Sequence, residues 1–281
     1  MLKKTSKLLG LLLLLIFSFM YTNKVFSTAK NSNPVMKEIV KYKKEHDLQP
    51  TEPVINKDEL ILGYSGLIIN KEVSYKNMKN KFDKNKIVYE DKLPKTTITK
   101  DYNYYIKQGN PKNKSVALIF KVENKDNVDN LLKYLQRQNI KASFFVDGTW
   151  LKENVEVAFR ITDMGHDIYN LGYDGNYDKS TINITNNLIE SITLKDSLYC
   201  LNDRKDDLQK KVCAKKNMLT LTSTLLDVSI SDLKKGLING AIISYSVKDF
   251  DNSNTTLIIR TITNKGYEIK DLNSVINEKR Y

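Results

Sequence analysis

Two apolar runs of strand length, separated by one helix-length segment, constrain this chain more than anything else in it. Val116-Ala117-Leu118-Ile119-Phe120 is the first, and Ala142-Ser143-Phe144-Phe145-Val146 the second. Between them, Asn127 to Gln138 places Val128, Leu131, Leu132 and Leu135 on one helical face. The second run ends in Asp147-Gly148-Thr149-Trp150, and another helical pattern follows over Glu153 to Met164. Strands that are apolar on both faces and alternate with helices pair in parallel through right-handed crossovers. The chain is therefore α/β, and periodicity alone leaves a barrel and a doubly wound open sheet equally open.

The alternation continues to the C-terminus. Helices are expected over Thr185–Ile192, Arg204–Ala214 and Asn254–Asn264, and strands over Met218–Thr222 and Gly240–Tyr245, with Gly266 punctuating the end. Gln108-Gly109-Asn110-Pro111 is the clearest boundary, since Gly and Pro break any helix just before the first apolar strand. It separates a domain over 113–281 from a lysine-rich extension over 30–112. In the extension, Met36–Lys43 and Ser74–Phe82 have helical spacing, Leu60–Asn70 is mostly extended, and Ile87–Tyr89 is a short strand.

Residues 1–29 read as a targeting segment. Lys3, Lys4 and Lys7 precede an apolar run from Leu8 to Tyr21, shorter than the roughly 20 residues that cross a bilayer as a helix. A cleaved signal peptide and an uncleaved anchor both stand, and either places the rest outside the cytoplasm, secreted or at the outer face of the membrane and wall. The formal charge is +12, of which +8 lies on residues 30–281. A basic exported chain is attracted to anionic wall polymers or lipid headgroups. No nucleic-acid motif is present, and contact with the membrane is expected only through the N-terminal segment. Cys200 and Cys213 suit a disulfide in an oxidising compartment. Two buried thiols or a metal pair are the alternatives, although the spacing matches no zinc motif.

The stretch Ser115–Asp174 resembles the polysaccharide deacetylase (NodB-homology) family, on the strength of the two strands, Asp147-Gly148-Thr149-Trp150 and Met164-Gly165-His166-Asp167-Ile168. The ending Gly266-Tyr267-Glu268-Ile269 with Leu272 is also similar. The resemblance implies a distorted (β/α) barrel of the polysaccharide deacetylase type with an N-terminal extension. It also implies a chemistry in which two His and one Asp hold a divalent metal such as zinc, and the metal activates water against an acetamide. A second Asp then acts as base. The family's base and metal Asp fall at Lys121 and Val122, and its two metal His at Leu171 and Gly175. None of the four can serve: charged Lys has no acceptor, and the others have no donor atoms in their side chains. His166 falls where the family's residue supports the fold. No cofactor, no metal and no residue with a catalytic role in the inherited mechanism are expected.

Other residues could rebuild the mouth. Glu123, Asp126, Asp174 and Asp178 fall on loops at the C-terminal ends of strands, the face that carries sites in barrels, and Asp249 and Asp251 have the same standing. Trp150, Tyr169, Tyr173 and Tyr177 are aromatic faces that suit sugar rings, with core packing the stronger expectation for Trp150. His46 sits among charges and is expected to be solvated. The expected function is that of an exported, inactive family member that binds a cell-wall glycan such as peptidoglycan or an envelope partner. The alternative is a divergent N-deacetylase with a rebuilt site.

Overall fold

The computed structural model describes residues 12–22, 32–78, 80–100, 102–123, 128–249 and 252–280. Residues 12–22 are helical (α1). They are followed by α2 (Pro34–His46), β1 (Val54–Asn56), β2 (Glu59–Ile61), β3 (Gly66–Ile69), α3 (Lys71–Asn77), β4 (Tyr89–Lys92) and β5 (Tyr105–Gln108). Next come β6 (Ser115–Val122), α4 (Asp129–Arg137), β7 (Ser143–Val146), α5 (Gly148–Glu153), α6 (Val155–Asp163), β8 (Asp167–Asn170), α7 (Lys179–Thr193) and β9 (Tyr199–Leu201). The chain closes with α8 (Asp207–Ala214), β10 (Leu219–Leu221), β11 (Leu225–Leu226), α9 (Ile230–Gly236), β12 (Ile242–Ser246), α10 (Asn252–Asn264), β13 (Glu268–Lys270) and α11 (Leu272–Val275).

The chain divides into two compact units, residues 1–49 with 66–92 and residues 50–65 with 93–281. In the smaller unit, Asn33 starts α2 by accepting the backbone N–H of Val35, and Pro34 supplies a preset φ. Val35 and Ile39 pack with Ile69 and Met78 around the antiparallel pair β3–β4. The expected second helix begins earlier than its apolar spacing implied. Asn70 caps α3 by accepting from Val73, and the helix ends at Asn77.

The larger unit is built on an 11-stranded sheet in the order β1-β2-β5-β10-β9-β8-β7-β6-β12-β11, with β13 paired to β6. From β5 to β11 every pairing is parallel. The sheet curls until the end of β5 meets the start of β12, where Gln108 bridges Ala241. This corrects the expected boundary at 112/113. Residues 50–65 and 93–112 belong to the larger unit, because β2 and β5 extend its sheet and bury Leu60, Tyr105 and Ile106. These strands of three and four residues are too short to announce themselves by alternation.

Alternation along β6 decides what reaches the site. Val116, Leu118, Phe120 and Val122 face a core shared with Leu131, Leu135, Ala158 and Ile161 of the surrounding helices. Ala117 and Ile119 face an inner core with Phe145, Tyr169, Leu201, Leu221 and Ile242. Each large side chain so buried contributes roughly 1.5–3 kcal/mol. The helix expected over 153–164 is α6, and a further short helix, α5, precedes it. Asn154 (φ −126°, ψ 40°) separates the two, its backbone N–H and side-chain amide both closing on the carbonyl of Trp150. Cys200 and Cys213 form a disulfide that ties β9 to α8, with Ile182 and Met218 packed around it.

Candidate functional site

Strands β6, β8, β9 and β11 end around one cavity of about 210 Å³, lined by Lys121, Glu123, Leu171, Tyr177, Leu201, Asn202, Asp203, Arg204, Gln209 and Leu226. Lys121 projects from the inward-facing register of β6. Its Nζ lies 2.8 Å from Oδ2 of Asp227, just past β11. The other oxygen of Asp227 accepts the backbone N–H of Ser246 at 2.9 Å. One carboxylate thus braces β6, β11 and β12 together. Leu171 and Leu201 give the cavity an apolar floor.

The opposite wall is polar and fixed by the backbone. Asn202 makes reciprocal bonds with Asp206, accepting its N–H at 3.0 Å and donating to its carbonyl at 2.8 Å. Asp203 accepts the N–H of Ser223 at 2.7 Å. Gln209, on the buried side of α8, donates to the carbonyl of Leu201 at 2.9 Å. Burial, reinforced by the Glu123 carboxylate, pushes the Tyr177 hydroxyl up to about 12, so it is a neutral donor at any ordinary pH.

A buried carboxylate organises the neighbouring hairpin. Asp147 follows β7 directly and caps α5 by accepting from Thr149 at 2.8 Å. The same carboxylate takes the N–H of Asp174 and of Gly175, both at 3.1 Å. Tyr173 and Asn176 exchange backbone bonds at 3.0 Å, and the two residues between them have φ of 51° and 67°. This is the type I′ hairpin that Asp-Gly favours.

The sequence candidates separate accordingly. Lys121, Glu123, Leu171 and Tyr177 meet at the cavity. Val122 does not: it is fully buried on the helix side of the sheet. Gly175 is exposed in the hairpin, and a side chain there would meet nothing within 4 Å. Trp150 is 1% exposed in the helix-side core, which removes it from the mouth, because the first turn of α5 points it inward. Tyr169 is also interior, its hydroxyl accepting from Asn273 at 2.9 Å. Tyr173 packs across Gly148, and Asp174 contributes its backbone to the hairpin. Asp178 caps α7, accepting from Ser180 and Thr181, and so belongs to the fold. Asp126, Asp251 and the side chain of Asp249 lie outside what the structure describes. His166 is buried, accepts the N–H of Ala142 through Nδ1, and meets the edge of Phe144. His46 is exposed and stacks on Tyr42.

Asp227, Asp203, Arg204 and Gln209 escaped the sequence reading. Asp227 follows a two-residue strand with no readable period. Asp147 carried a usable signal, an acid just before Gly-Thr-Trp-Leu in the position of a helix cap. The pair Asp174-Gly175 carried another, the hairpin dipeptide.

A divalent metal of the kind the resemblance implies does not fit these residues. The inherited positions offer an ammonium already paired with a carboxylate, two aliphatic side chains and a glycine. Among the described residues no three His, Cys, Asp or Glu side chains gather into a ligand set.

A curled parallel sheet, helices outside it and a polar mouth at the strand ends define a deacetylase-type α/β half-barrel. Residues 108–198, about a third of the chain, match the family model for polysaccharide deacetylase. Wild-type BA3943, a CE4-family pseudoenzyme from Bacillus anthracis, shares the fold at a TM-score of 0.69, with 23% identity, over 88% of this chain and 96% of that one. A mutant of BA3943 with restored enzymatic activity superposes at 0.69 and 22% identity, over 88% and 99%. PdaA of Bacillus subtilis, a family 4 carbohydrate esterase, gives 0.52 at 20% identity, over 61% and 84%. The uncharacterized protein YlxY of Bacillus subtilis is 32% identical over 148 residues, 51% of this chain. The chain spans about half, 46%, of that relative's length. The expected distorted barrel is therefore the observed fold.

Proposed function

We propose that this chain is an exported, non-catalytic polysaccharide deacetylase-family protein that binds a cell-wall glycan through the mouth beside Lys121. The observation that carries this reading is the ion pair of Lys121 with Asp227, which occupies the family's base position with a cation. Around it remain features that suit a sugar without chemistry: an apolar floor of Leu171 and Leu201, a neutral phenol at Tyr177, and carboxylates and amides already oriented by backbone bonds. Such a surface supplies hydrogen bonds to hydroxyls and an apolar patch for a ring or methyl group. Export is supported by the N-terminal apolar segment and the disulfide.

The test combines three measurements on the purified chain. Elemental analysis after dialysis is expected to find no stoichiometric zinc. Incubation with N-acetylglucosamine oligomers, with and without added Zn²⁺ or Co²⁺, is expected to release no acetate. Titration with the same oligomers is expected to show binding that Gln209→Ala and Arg204→Ala weaken. Acetate release abolished by EDTA would overturn the reading in favour of a rebuilt enzyme. Absence of oligomer binding would leave a partner-binding role for this fold.

A further inference from the structure

The smaller unit carries charge out of proportion to its size. Residues 1–49 with 66–92 contain sixteen lysines against seven acids, so +9 of the chain's +12 lies there. On α2, Lys37, Lys41 and Lys44 fall at i, i+4 and i+7, directly opposite the face that buries Val35, Met36 and Ile39. All three are exposed, and among the described residues none of them forms an ion pair. Lys43, off this stripe, is already engaged by Asp47 at 2.7 Å and the carbonyl of Ile69 at 2.8 Å. Glu38 and Glu45 stand along one edge of the stripe and leave its centre cationic.

The preceding helix shows what such a stripe could face. In α1, Leu12 to Phe17 are each at least 49% exposed, and Phe19, Met20 and Tyr21 at least 63%. Among the described residues no helix is long and apolar enough to cross a membrane. A short apolar insertion holds a protein to a bilayer only marginally unless a second contact, commonly a basic patch, assists it. Residues 23–33, which include Lys24 and Lys30, join α1 to α2. Fully extended they span at most about 40 Å, so a bilayer that takes up α1 has α2 tethered near its surface.

We propose that the Lys37–Lys41–Lys44 stripe docks on an anionic lipid surface, as the second contact beside insertion of α1. The attraction is electrostatic, falls within a Debye length of the headgroups and weakens with salt. An anionic wall polymer offers similar charge but no apolar phase for α1, and the exposed helix therefore favours lipid.

Flotation of the full chain with vesicles tests this. Vesicles of phosphatidylcholine alone are compared with vesicles of seven parts phosphatidylcholine to three parts phosphatidylglycerol, at about 50 mM and about 500 mM NaCl. At low salt the chain is expected to partition at least about tenfold more strongly onto the anionic vesicles, a preference that high salt erases. The triple variant Lys37→Gln, Lys41→Gln, Lys44→Gln is expected to lower that preference at least about fivefold, leaving binding to neutral vesicles and thermal unfolding unchanged. Equal partition of the wild type onto both vesicles overturns the proposal, and so does a triple variant that keeps the whole preference. Dependence of the stripe on immobilised poly(glycerol phosphate) but not on vesicles also overturns it, in favour of a wall polymer. Oligosaccharide binding in the mouth is unaffected by the variant, so the two readings fail separately.

Discussion

Lys121 and Asp227 meet at 2.8 Å across the mouth of the half-barrel, joining the end of β6 to the loop after β11. Lys121 is 17% exposed and Asp227 40%, a half-buried pair in which the acid also holds the backbone of Ser246. Lys121→Met should cost about 1 kcal/mol, since water can resolvate the carboxylate left behind. Asp227→Ala should cost more, about 2 kcal/mol, because it frees both the ammonium and a backbone donor. Urea denaturation of the two variants checks the order. Equal losses would mean that the carboxylate contributes only through the lysine.

Adjacent positions on β6 should respond in opposite ways to the same new side chain. Lys121→Asp places a carboxylate in a wet mouth and should cost about 1–2 kcal/mol, from the lost pair and the nearby Asp227. Val122→Asp places one in the apolar core that Val122 shares with Val128 and Leu132. It should cost at least about 3 kcal/mol and reduce the folded yield. Thermal unfolding should separate the two variants by at least a few degrees, about 2–4 °C for each kcal/mol between them, if the register is right. Similar melting temperatures would mean that Val122 faces the mouth after all.

Asp147 is expected to be the most sensitive polar residue near the site. Its carboxylate caps α5 and holds two amides of the type I′ hairpin. Asp147→Ala should cost about 2–3 kcal/mol, and Asp147→Asn, which keeps one acceptor oxygen, roughly half as much. Hydrogen exchange gives a sharper reading than stability alone. The amides of Asp174 and Gly175 should lose protection in either variant, while those of Phe144 and Phe145 in β7 should not.

These residues also show how far the sequence alone could be read. The alternation of Val116 to Phe120 and the helical face of Leu131, Leu132 and Leu135 come from long periodic segments, and both were legible. The core packing favoured for Trp150 also held, although its alternative place in the mouth did not, because the axis of α5 points it inward. Val122 and Lys121 are neighbours in sequence but lie on opposite faces of a strand, so aligning two consecutive family carboxylates with them said nothing about which one reaches the mouth. Asp227 and Asp203 entered the site through strands of two and three residues, which leave no periodic trace.

His166 should make stability depend on pH in a direction that can be worked out. Burial, reinforced by the charge of Lys141, lowers its pKa to about 4 from 6.5. The unfolded chain therefore binds a proton between those values that the folded chain refuses. Stability from this group is fully present above pH 6.5 and is lost as pH falls toward 4, by up to about 3 kcal/mol. Asp167 beside it works the other way. Burial and the nearby Asp271 raise its carboxyl, so its contribution is present at low pH and is lost as pH rises through its folded value. Urea denaturation at pH 7.0, 6.0 and 5.0 should show falling stability in the wild type. In His166→Gln, whose amide oxygen can still accept from Ala142, that slope should flatten while the remaining dependence persists. An unchanged slope in the variant would move the titrating group elsewhere.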